Sequence, residues 1–235
     1  MKVLVLAEGA TQEQRQRREW GISILINNSI LFDAFGHSEK LEENTRKYEI
    51  NIQNIKNIVI SHLHWDHISG LEFILKNANK PCVFIPQDTP YIAGLCKKYS
   101  AGIIVSQKNG KYKDEIFLTG AMDALFKEEK FCEQGLLLES EKGIILIVGC
   151  SHPGILKIAN KAIEITGKNI YCIIGGLHLK DEKTGCIADI AESLRKTGVK
   201  KIIAGHCTGK NACDIFNVIY GDNFEEIKQG AVYTF

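Results

Sequence analysis

A cluster of histidines follows an apolar, strand-like segment in the first third of the chain. The segment Ser61–His67 (SHLHWDH) places three imidazoles and one carboxylate within six residues. Imidazole nitrogens and carboxylate oxygens are typical protein ligands of Zn²⁺ and related divalent cations. Alternate side chains of an extended segment share a face, so we expect His62 and His64 to reach one cation together. Asp66 and His67 then lie beyond the strand and can reach a second cation about 3.5–4 Å away, the spacing of two-metal hydrolytic sites.

Three of the remaining histidines follow other segments that also predict strands. They are His152 after Ile144–Val148, His178 after Ile170–Ile174, and His206 after Lys201–Ala204. Strand ends are where α/β enzymes place chemistry, because the sheet fixes the backbone and the loops that leave it are free to vary. We therefore expect His152 and His206 to bind metal. We expect His178 to face the substrate.

The elements that must position these residues can be read from the apolar spacing. Short strands dominate the first third, with a hairpin turn at Asn27-Asn28, and strands alternate with helices in the last third. Strand runs combined with alternating strands and helices favour a mixed α/β fold, in which two mixed sheets pack face to face with helices outside. Only four prolines occur and no linker-like tract is present, which predicts one domain over residues 1–235.

Composition excludes several classes of protein. The net charge is +1 with both signs mixed along the chain, so we expect no nucleic-acid or membrane partner, and a small-molecule substrate instead. The basic residues Arg15, Arg17 and Arg18 suit either a solvated loop or a contact for an anionic substrate. The chain has eight cysteines but no Cys-x-x-Cys pair, and its first apolar run is too short for a signal peptide. These features favour a cytoplasmic location. The oligomeric state cannot be read from these features.

With these motifs, the chain resembles the metallo-β-lactamase superfamily, whose four-layer αββα sandwich carries His-x-His-x-Asp-His after a strand and two further histidines at later strand ends. Within it, the strings GCSHPGI (149–155), GGLHL (175–179) and HCTG (206–209) are similar to the branch of dihydropterin-methyl-ribofuranosylaminobenzene-phosphate synthases. That branch also holds metal-dependent hydrolases of unassigned substrate.

The resemblance implies two divalent metal ions, first of all Zn²⁺, with Mn²⁺ and Fe²⁺ as alternatives. It implies one ligand set of His62, His64 and His152 and a second of Asp66, His67 and His206. Asp33 matches an acidic motif that supports the histidine loop without ligating. Many members have a metal-bridging Asp where this chain has Gly149-Cys150, so that carboxylate is either missing or replaced by a thiolate.

The chemistry expected of such a site is metal-dependent hydrolysis of a small, anionic or phosphorylated metabolite. The cations would activate water, Asp66 would orient it or relay its proton, and His178 would assist the leaving group. Two alternatives stay open. One is the synthase reaction that the resemblance implies, and the other is a non-catalytic metal or redox sensor in which Cys150 is oxidised.

Overall fold

The computed structural model describes residues 1–113 and 116–235, which divide into two compact units. Unit 1 comprises Met1–Gln107 and Lys228–Thr234, and unit 2 comprises Lys108–Ile227 and Phe235. Each unit contains one seven-stranded mixed sheet among its described residues, so the prediction of two mixed sheets is confirmed. The single domain over residues 1–235 stays a prediction.

The sheet of unit 1 has the order β16-β1-β2-β3-β4-β5-β6. The strands β1 to β3 and β16 pair antiparallel, whereas β3 to β6 pair parallel. Asn27 and Asn28 adopt φ of 48° and 57° between β2 and β3, as a tight hairpin turn requires. The strands are β1 (Lys2–Gly9), β2 (Gly21–Ile26), β3 (Ile30–Phe32), β4 (Asn57–Val59), β5 (Cys82–Ile85), β6 (Gly102–Val105) and β16 (Val232–Thr234).

The helices of unit 1 pack their apolar residues on one side of this sheet. Leu41, Ile74 and Ile92, from three different helices, lie in one buried cluster with Leu31 and Ile58 of the sheet. Burial of these faces provides most of the driving force for the unit. The helices are α1 (Gln12–Gln16), α2 (Ser38–Lys47), α3 (Trp65–Ile68), α4 (Leu71–Asn77) and α5 (Pro90–Lys98), with a 3-10 turn at Ile52–Asn54.

The sheet of unit 2 has the order β15-β14-β13-β12-β11-β8-β7, and β9 pairs with β10 in a separate hairpin. The strands β12, β13, β14 and β15 are parallel neighbours, so their carboxyl ends lie at one edge. The strands are β7 (Gly110–Lys111), β8 (Phe117–Leu118), β9 (Met122–Phe126), β10 (Glu129–Glu133), β11 (Leu136–Ser140), β12 (Gly143–Val148), β13 (Ile170–Gly176), β14 (Lys201–Gly205) and β15 (Phe224–Glu226).

The parallel strands of unit 2 are connected by helices, as parallel pairing requires. Ile158, Ile187 and Phe216 from these helices lie in one buried cluster with Leu146 and Ile173 of the sheet. The helices are α6 (Ile155–Thr166), α7 (Thr184–Lys196) and α8 (Lys210–Tyr220), with 3-10 turns at His206–Thr208 and Gly221–Asn223.

Two features differ from what the apolar spacing predicts. The apolar spacing predicts a helix over Ser69–Lys76, which corresponds to α4 within two residues, but it does not predict the short helix α3, which Gly70 separates from α4. A side chain at Gly70 would meet the carbonyl oxygen of Ala34 at 2.2 Å, so this break lets the chain pass close to that backbone. The β9–β10 hairpin is not predicted, because Lys127 and Glu128 form its turn at positive φ without a glycine or asparagine to signal it.

Candidate metal centre

The Ser61–His67 segment of unit 1 starts beyond β4 rather than within it. His62 and His64 lie outside β4 in irregular backbone, so the strand expected to carry them ends earlier, at Val59, whereas Asp66 and His67 lie in α3, beyond the strand as expected. The side chains converge. His62 Nε2 lies 3.0 Å from His64 Nδ1, and the His62 and His67 rings are 4.1 Å apart. The turn into α3 also brings Asp66 Oδ2 to 3.4 Å from His67 Nε2.

Asp33 holds this segment from the end of β3. Its Oδ1 accepts the backbone N–H of Ser61 at 2.7 Å, and its Oδ2 lies 2.6 Å from His67 Nδ1 and accepts the Ser61 hydroxyl. Burial alone would lower the pKa of His67, but the carboxylates of Asp66 and Asp33 outweigh it and hold this pKa well above the usual range. Asp33 thus contacts both Ser61 and His67, and its role in supporting metal ligands stays a prediction.

The basic residues near the start of the chain lie beside the same segment. The Arg18 guanidinium lies 4.8 Å from the centre of the Trp65 ring, and the Arg15 guanidinium lies 5.6 Å from that of Trp20. The side chain of Arg17 instead pairs with Glu13 within one helical turn. Of these three arginines, Arg18 is therefore the one whose guanidinium lies beside Trp65, the residue between His64 and Asp66 in the sequence.

In unit 2 the predicted histidines gather at the carboxyl edge of the parallel strands. Ligand atoms of Cys150, His152 and His178 all lie within 4.8 Å of one another. The Cys150 sulfur also lies 3.3 Å from His206 Nε2. His178 Nδ1 is buried and has no hydrogen-bond partner among the described residues. The unit thus presents three imidazoles and a thiol at one place.

Glu133, the last residue of β10, organises the loop that carries His152. Its Oε1 accepts the N–H groups of Cys150 and Ser151 at 2.9 and 2.7 Å, and its Oε2 accepts the N–H of His152 at 2.7 Å. The same Oε2 lies 3.0 Å from His152 Nδ1. Burial raises the pKa of Glu133, but the hydrogen bonds from His152 and Ser151 outweigh it and hold this pKa below the ordinary value. Sequence reasoning missed Glu133, because its partners lie 17–19 positions further along the chain.

Backbone strain marks the same strand ends. Ser151, His178 and His206 adopt φ of 63°, 52° and 52°, in the left-handed region that side chains other than glycine rarely occupy. Such conformations cost about 1–3 kcal/mol each and cluster at functional sites. Gly176 allows a close approach here, since a Cβ on it would lie 2.6 Å from both the Cys207 sulfur and the Gly149 carbonyl oxygen.

Aromatic rings from the β9–β10 hairpin border the imidazoles of unit 2. The Phe126 ring makes edge contacts with His152 and His178 at centroid distances of 5.4 and 5.3 Å, and Phe131 makes one with His152 at 5.0 Å. A cavity of about 240 Å³ opens beside these two histidines. Its walls are mainly apolar and include Ile155, Leu156, Leu177, Leu179 and Ile190.

A second thiol, Cys207, lies close to this group. Its sulfur points to the Cys150 carbonyl oxygen at 3.6 Å. Burial would raise the pKa of Cys207, but contacts with Cys150, His206 and His178 outweigh it and hold this pKa well below the usual range. Any role assigned to Cys150 must therefore be tested with a Cys207 variant as the control.

The sequence-predicted residues thus fall into two groups, one in each unit. Unit 1 brings together His62, His64, Asp66 and His67. Unit 2 brings together His152, His178 and His206 around Cys150. The assignment of these residues to two shared ions stays a prediction.

Comparison with known proteins places the chain. It is 32% identical to the 7,8-dihydropterin-6-methyl-4-(beta-D-ribofuranosyl)-aminobenzene-5'-phosphate synthase of Methanocaldococcus jannaschii, over 89% of this chain and 85% of that protein. It is 30% identical to an uncharacterized protein of the same organism, over 86% of this chain and 90% of that protein. A family model described as anti-Pycsar protein Apyc1 matches residues 14–90.

Solved structures identify the fold. A crystal structure described as a metal-dependent hydrolase of the beta-lactamase superfamily has a TM-score of 0.79 at 24% identity, covering 100% of this chain and 99% of that one. The metallo-beta-lactamase fold protein YhfI from Bacillus subtilis has a TM-score of 0.70 at 12% identity, with 99% of both chains covered. The mixed α/β, metallo-β-lactamase-like fold is therefore confirmed.

The protein is thus of the metallo-β-lactamase-fold class. Its fold is that of metallo-β-lactamase-fold proteins, and by sequence the chain belongs to the family that includes the M. jannaschii synthase. Among the described residues, no helix is both long and apolar enough to cross a membrane.

Proposed function

We propose that the protein is a metal-dependent hydrolase that acts on a small, anionic or phosphorylated metabolite. One observation carries this proposal: in each unit a fully buried carboxylate contacts the Nδ1 atom of an imidazole. Asp33 contacts His67 at 2.6 Å, and Glu133 contacts His152 at 3.0 Å. Protein carboxylates typically orient metal-binding histidines in this way, because the contact at one nitrogen directs the other towards the metal.

The donor sets fit divalent transition metals. Each unit offers several imidazoles and unit 1 adds the carboxylate of Asp66, so six donors are available without His178. We assign His62, His64 and His152 to one ion and Asp66, His67 and His206 to the other. Zn²⁺ is our first choice for this nitrogen-rich set, and Mn²⁺ and Fe²⁺ are alternatives.

Bound divalent cations lower the pKa of water and stabilise negative charge on a carbonyl or phosphoryl oxygen. The residues of the chain supply the rest of the reaction. The carboxylate of Asp66 orients the attacking water and accepts its proton. His178 donates a hydrogen bond or a proton to the leaving group, and the Phe126 ring limits the access of bulk water to that imidazole.

The position of Arg18 supports the proposal that the substrate is anionic. Its guanidinium is exposed and lies beside Trp65, between two of the proposed ligands in sequence. A planar guanidinium suits the recognition of a phosphate or carboxylate, because it can donate two parallel hydrogen bonds. Arg17 offers a matched control, since it is a neighbour of the same charge that pairs with Glu13.

Metal analysis tests the first part of the proposal. We expect about two transition-metal ions per chain after reconstitution, measured by mass spectrometry, because six ligands exceed what one tetrahedral ion uses. A metal content that stays near zero would overturn the enzyme assignment. Metal-dependent thiol reactivity without turnover of any substrate would instead favour a sensor.

A substrate panel tests the second part. We expect turnover of phosphate esters or diphosphates, with little turnover of uncharged analogues. Arg18→Ala should raise KM for the anionic substrates by roughly 10-fold, the effect of losing a charge-assisted contact worth about 1.5 kcal/mol. Arg17→Ala should leave KM unchanged. Equal effects of the two substitutions would show that Arg18 only contributes to general surface charge.

The synthase reaction is a second candidate, and the 32% identity to the M. jannaschii enzyme favours it. It would use the same residues to displace a phosphorylated or diphosphorylated group from the methyl carbon of a pterin, with an arylamine substrate in place of water. Incubation with a pterin-methyl diphosphate, with and without an aminobenzene-type acceptor, separates the two. If the phosphorylated group is released only when the acceptor is present, the result favours the synthase. If it is released without the acceptor, the result favours the hydrolase.

A further inference from the structure

Cys150 lies where two of the proposed metal-binding histidines meet. It follows β12, is 3% exposed, and has its backbone N–H fixed by Glu133 at 2.9 Å. Its sulfur lies 3.3 Å from His206 Nε2. It also lies within 4.8 Å of a ligand nitrogen of His152. The sulfur thus lies close to one histidine from each of the two proposed ligand sets.

Two other buried thiols have different surroundings. The Cys172 sulfur points to the carbonyl oxygen of Ile173 at 3.7 Å, and the Cys207 sulfur points to the carbonyl oxygen of Cys150 at 3.6 Å. The Cys172 contact is an ordinary one for a small apolar side chain with a weak donor. Cys207 also lies near His206 and His178, so it is the closer comparison for Cys150, whose sulfur lies 3.3 Å from a ring nitrogen of His206 and within 4.8 Å of one of His152.

The observed distances suit a shared ion. In a tetrahedral zinc site a sulfur at about 2.3 Å and a nitrogen at about 2.0–2.1 Å are separated by about 3.6 Å. The 3.3 Å between the Cys150 sulfur and His206 Nε2 is close to that value, and the separation from the His152 nitrogen is below 4.8 Å. One sulfur can therefore contact two ions, because it has more than one lone pair.

We propose that Cys150 is a thiolate ligand that bridges the ion held by His152 and the ion held by His206. The proposal rests on the metal-dependent function above and assigns it one further ligand. On binding, the S–H bond breaks, two metal–sulfur bonds form, and the proton leaves to solvent, with no change of oxidation state. A thiolate favours Zn²⁺ and Fe²⁺ over the harder Mn²⁺ and Mg²⁺. The resident metal is then a thiophilic one.

Cobalt substitution tests this assignment. Metal-free protein comprising residues 1–235 is loaded with Co²⁺. The visible d–d bands of Co²⁺ report binding, and a near-ultraviolet charge-transfer band reports a thiolate ligand. We expect both sets of bands in the wild type. Cys150→Ser should lose the charge-transfer band and should lower the Zn²⁺ affinity by at least the roughly 10–100-fold that loss of a supporting residue costs. Cys150→Asp should restore affinity without that band, because a carboxylate can also bridge.

The matched controls are Cys207→Ser and Cys172→Ser, both of which should keep the charge-transfer band. Absence of Co²⁺ binding in the wild type would overturn the proposed function itself. Co²⁺ binding without a charge-transfer band would overturn only the role of Cys150. A band that survives in Cys150→Ser, or that disappears in Cys207→Ser, would also overturn it. Far-ultraviolet circular dichroism identifies any variant that fails to fold, and Cys150→Asp then carries the test.

Discussion

The Oδ2 atom of Asp33 lies 2.6 Å from Nδ1 of His67, and both side chains are fully buried. The contact joins residues 34 positions apart and fixes the orientation of an imidazole whose other nitrogen lies near Asp66. The Ser61 backbone and hydroxyl donate to the same carboxylate. Asp33 therefore positions both ends of the Ser61–His67 segment.

From this arrangement we expect Asp33→Ala to weaken metal binding by roughly 10–100-fold, because the histidine loop loses the group that orients it. Competition titration with a chromophoric chelator measures the affinity. Asp33→Asn provides a partial control, since it retains an acceptor oxygen without the charge. An unchanged affinity in Asp33→Ala, with a small loss of stability only, would mean that Asp33 merely caps the end of the strand.

Glu133 gives a pH-dependent prediction. Its pKa is lowered in the folded protein, so its contribution to stability is present above the ordinary value of 4.5 and is lost as the pH falls through the lower folded-state pKa. We expect Glu133→Gln to lower Tm in the metal-free protein at pH 7, and the difference from wild type to shrink on acidification below pH 4.5. Thermal unfolding across this range measures it. A difference that is independent of pH would show that the lost contacts, and not the charge, stabilise this loop.

His178 separates substrate chemistry from metal chemistry. Its φ of 52° favours Asn over other replacements, so His178→Asn avoids added backbone strain. We expect this variant to retain both metal ions and to lose about 10²–10⁴-fold in turnover, as for the loss of a proton donor. A loss of metal in step with activity would make His178 a ligand instead.

His37 is the matched control for that experiment. Its Nδ1 accepts the backbone N–H of Lys40 at 3.1 Å and so caps the start of α2. We expect His37→Ala to lower the free energy of unfolding by about 0.5–2 kcal/mol without any effect on metal content or turnover.

Phe126 is expected to shield the imidazoles of unit 2. Its ring edge contacts both His152 and His178, whereas its neighbour Leu125 is 63% exposed. Phe126→Ala should therefore increase the rate at which diethyl pyrocarbonate modifies these two histidines in the metal-free protein, as mapped by mass spectrometry. Leu125→Ala should not. Equal rates in both variants would show that the hairpin does not limit access.

The sequence alone determined the donor types and most of the scaffold. The histidine segment is a local pattern, and the strands before His152, His178 and His206 are apolar runs whose ends can be read directly. The strands predicted at Ile144–Val148 and Ile170–Ile174 agree with β12 and β13 within one or two residues. Such signals are local because hydrophobic periodicity reports which side of an element is buried.

Only the tertiary structure decided that Glu133 joins these histidines and how close Cys150 lies to them. No sequence pattern distinguishes Glu133 from other acidic residues, and its hairpin has no turn signal. It contacts the loop of His152 only because β10 lies beside the loop after β12. Cys150 and His206 are 56 positions apart, and their approach depends on the ends of β12 and β14, which lie on either side of β13 in the sheet. The physical reason is that the chemical behaviour of a buried charge or thiol depends on the groups that it contacts, and sheet pairing brings together groups that are distant in sequence.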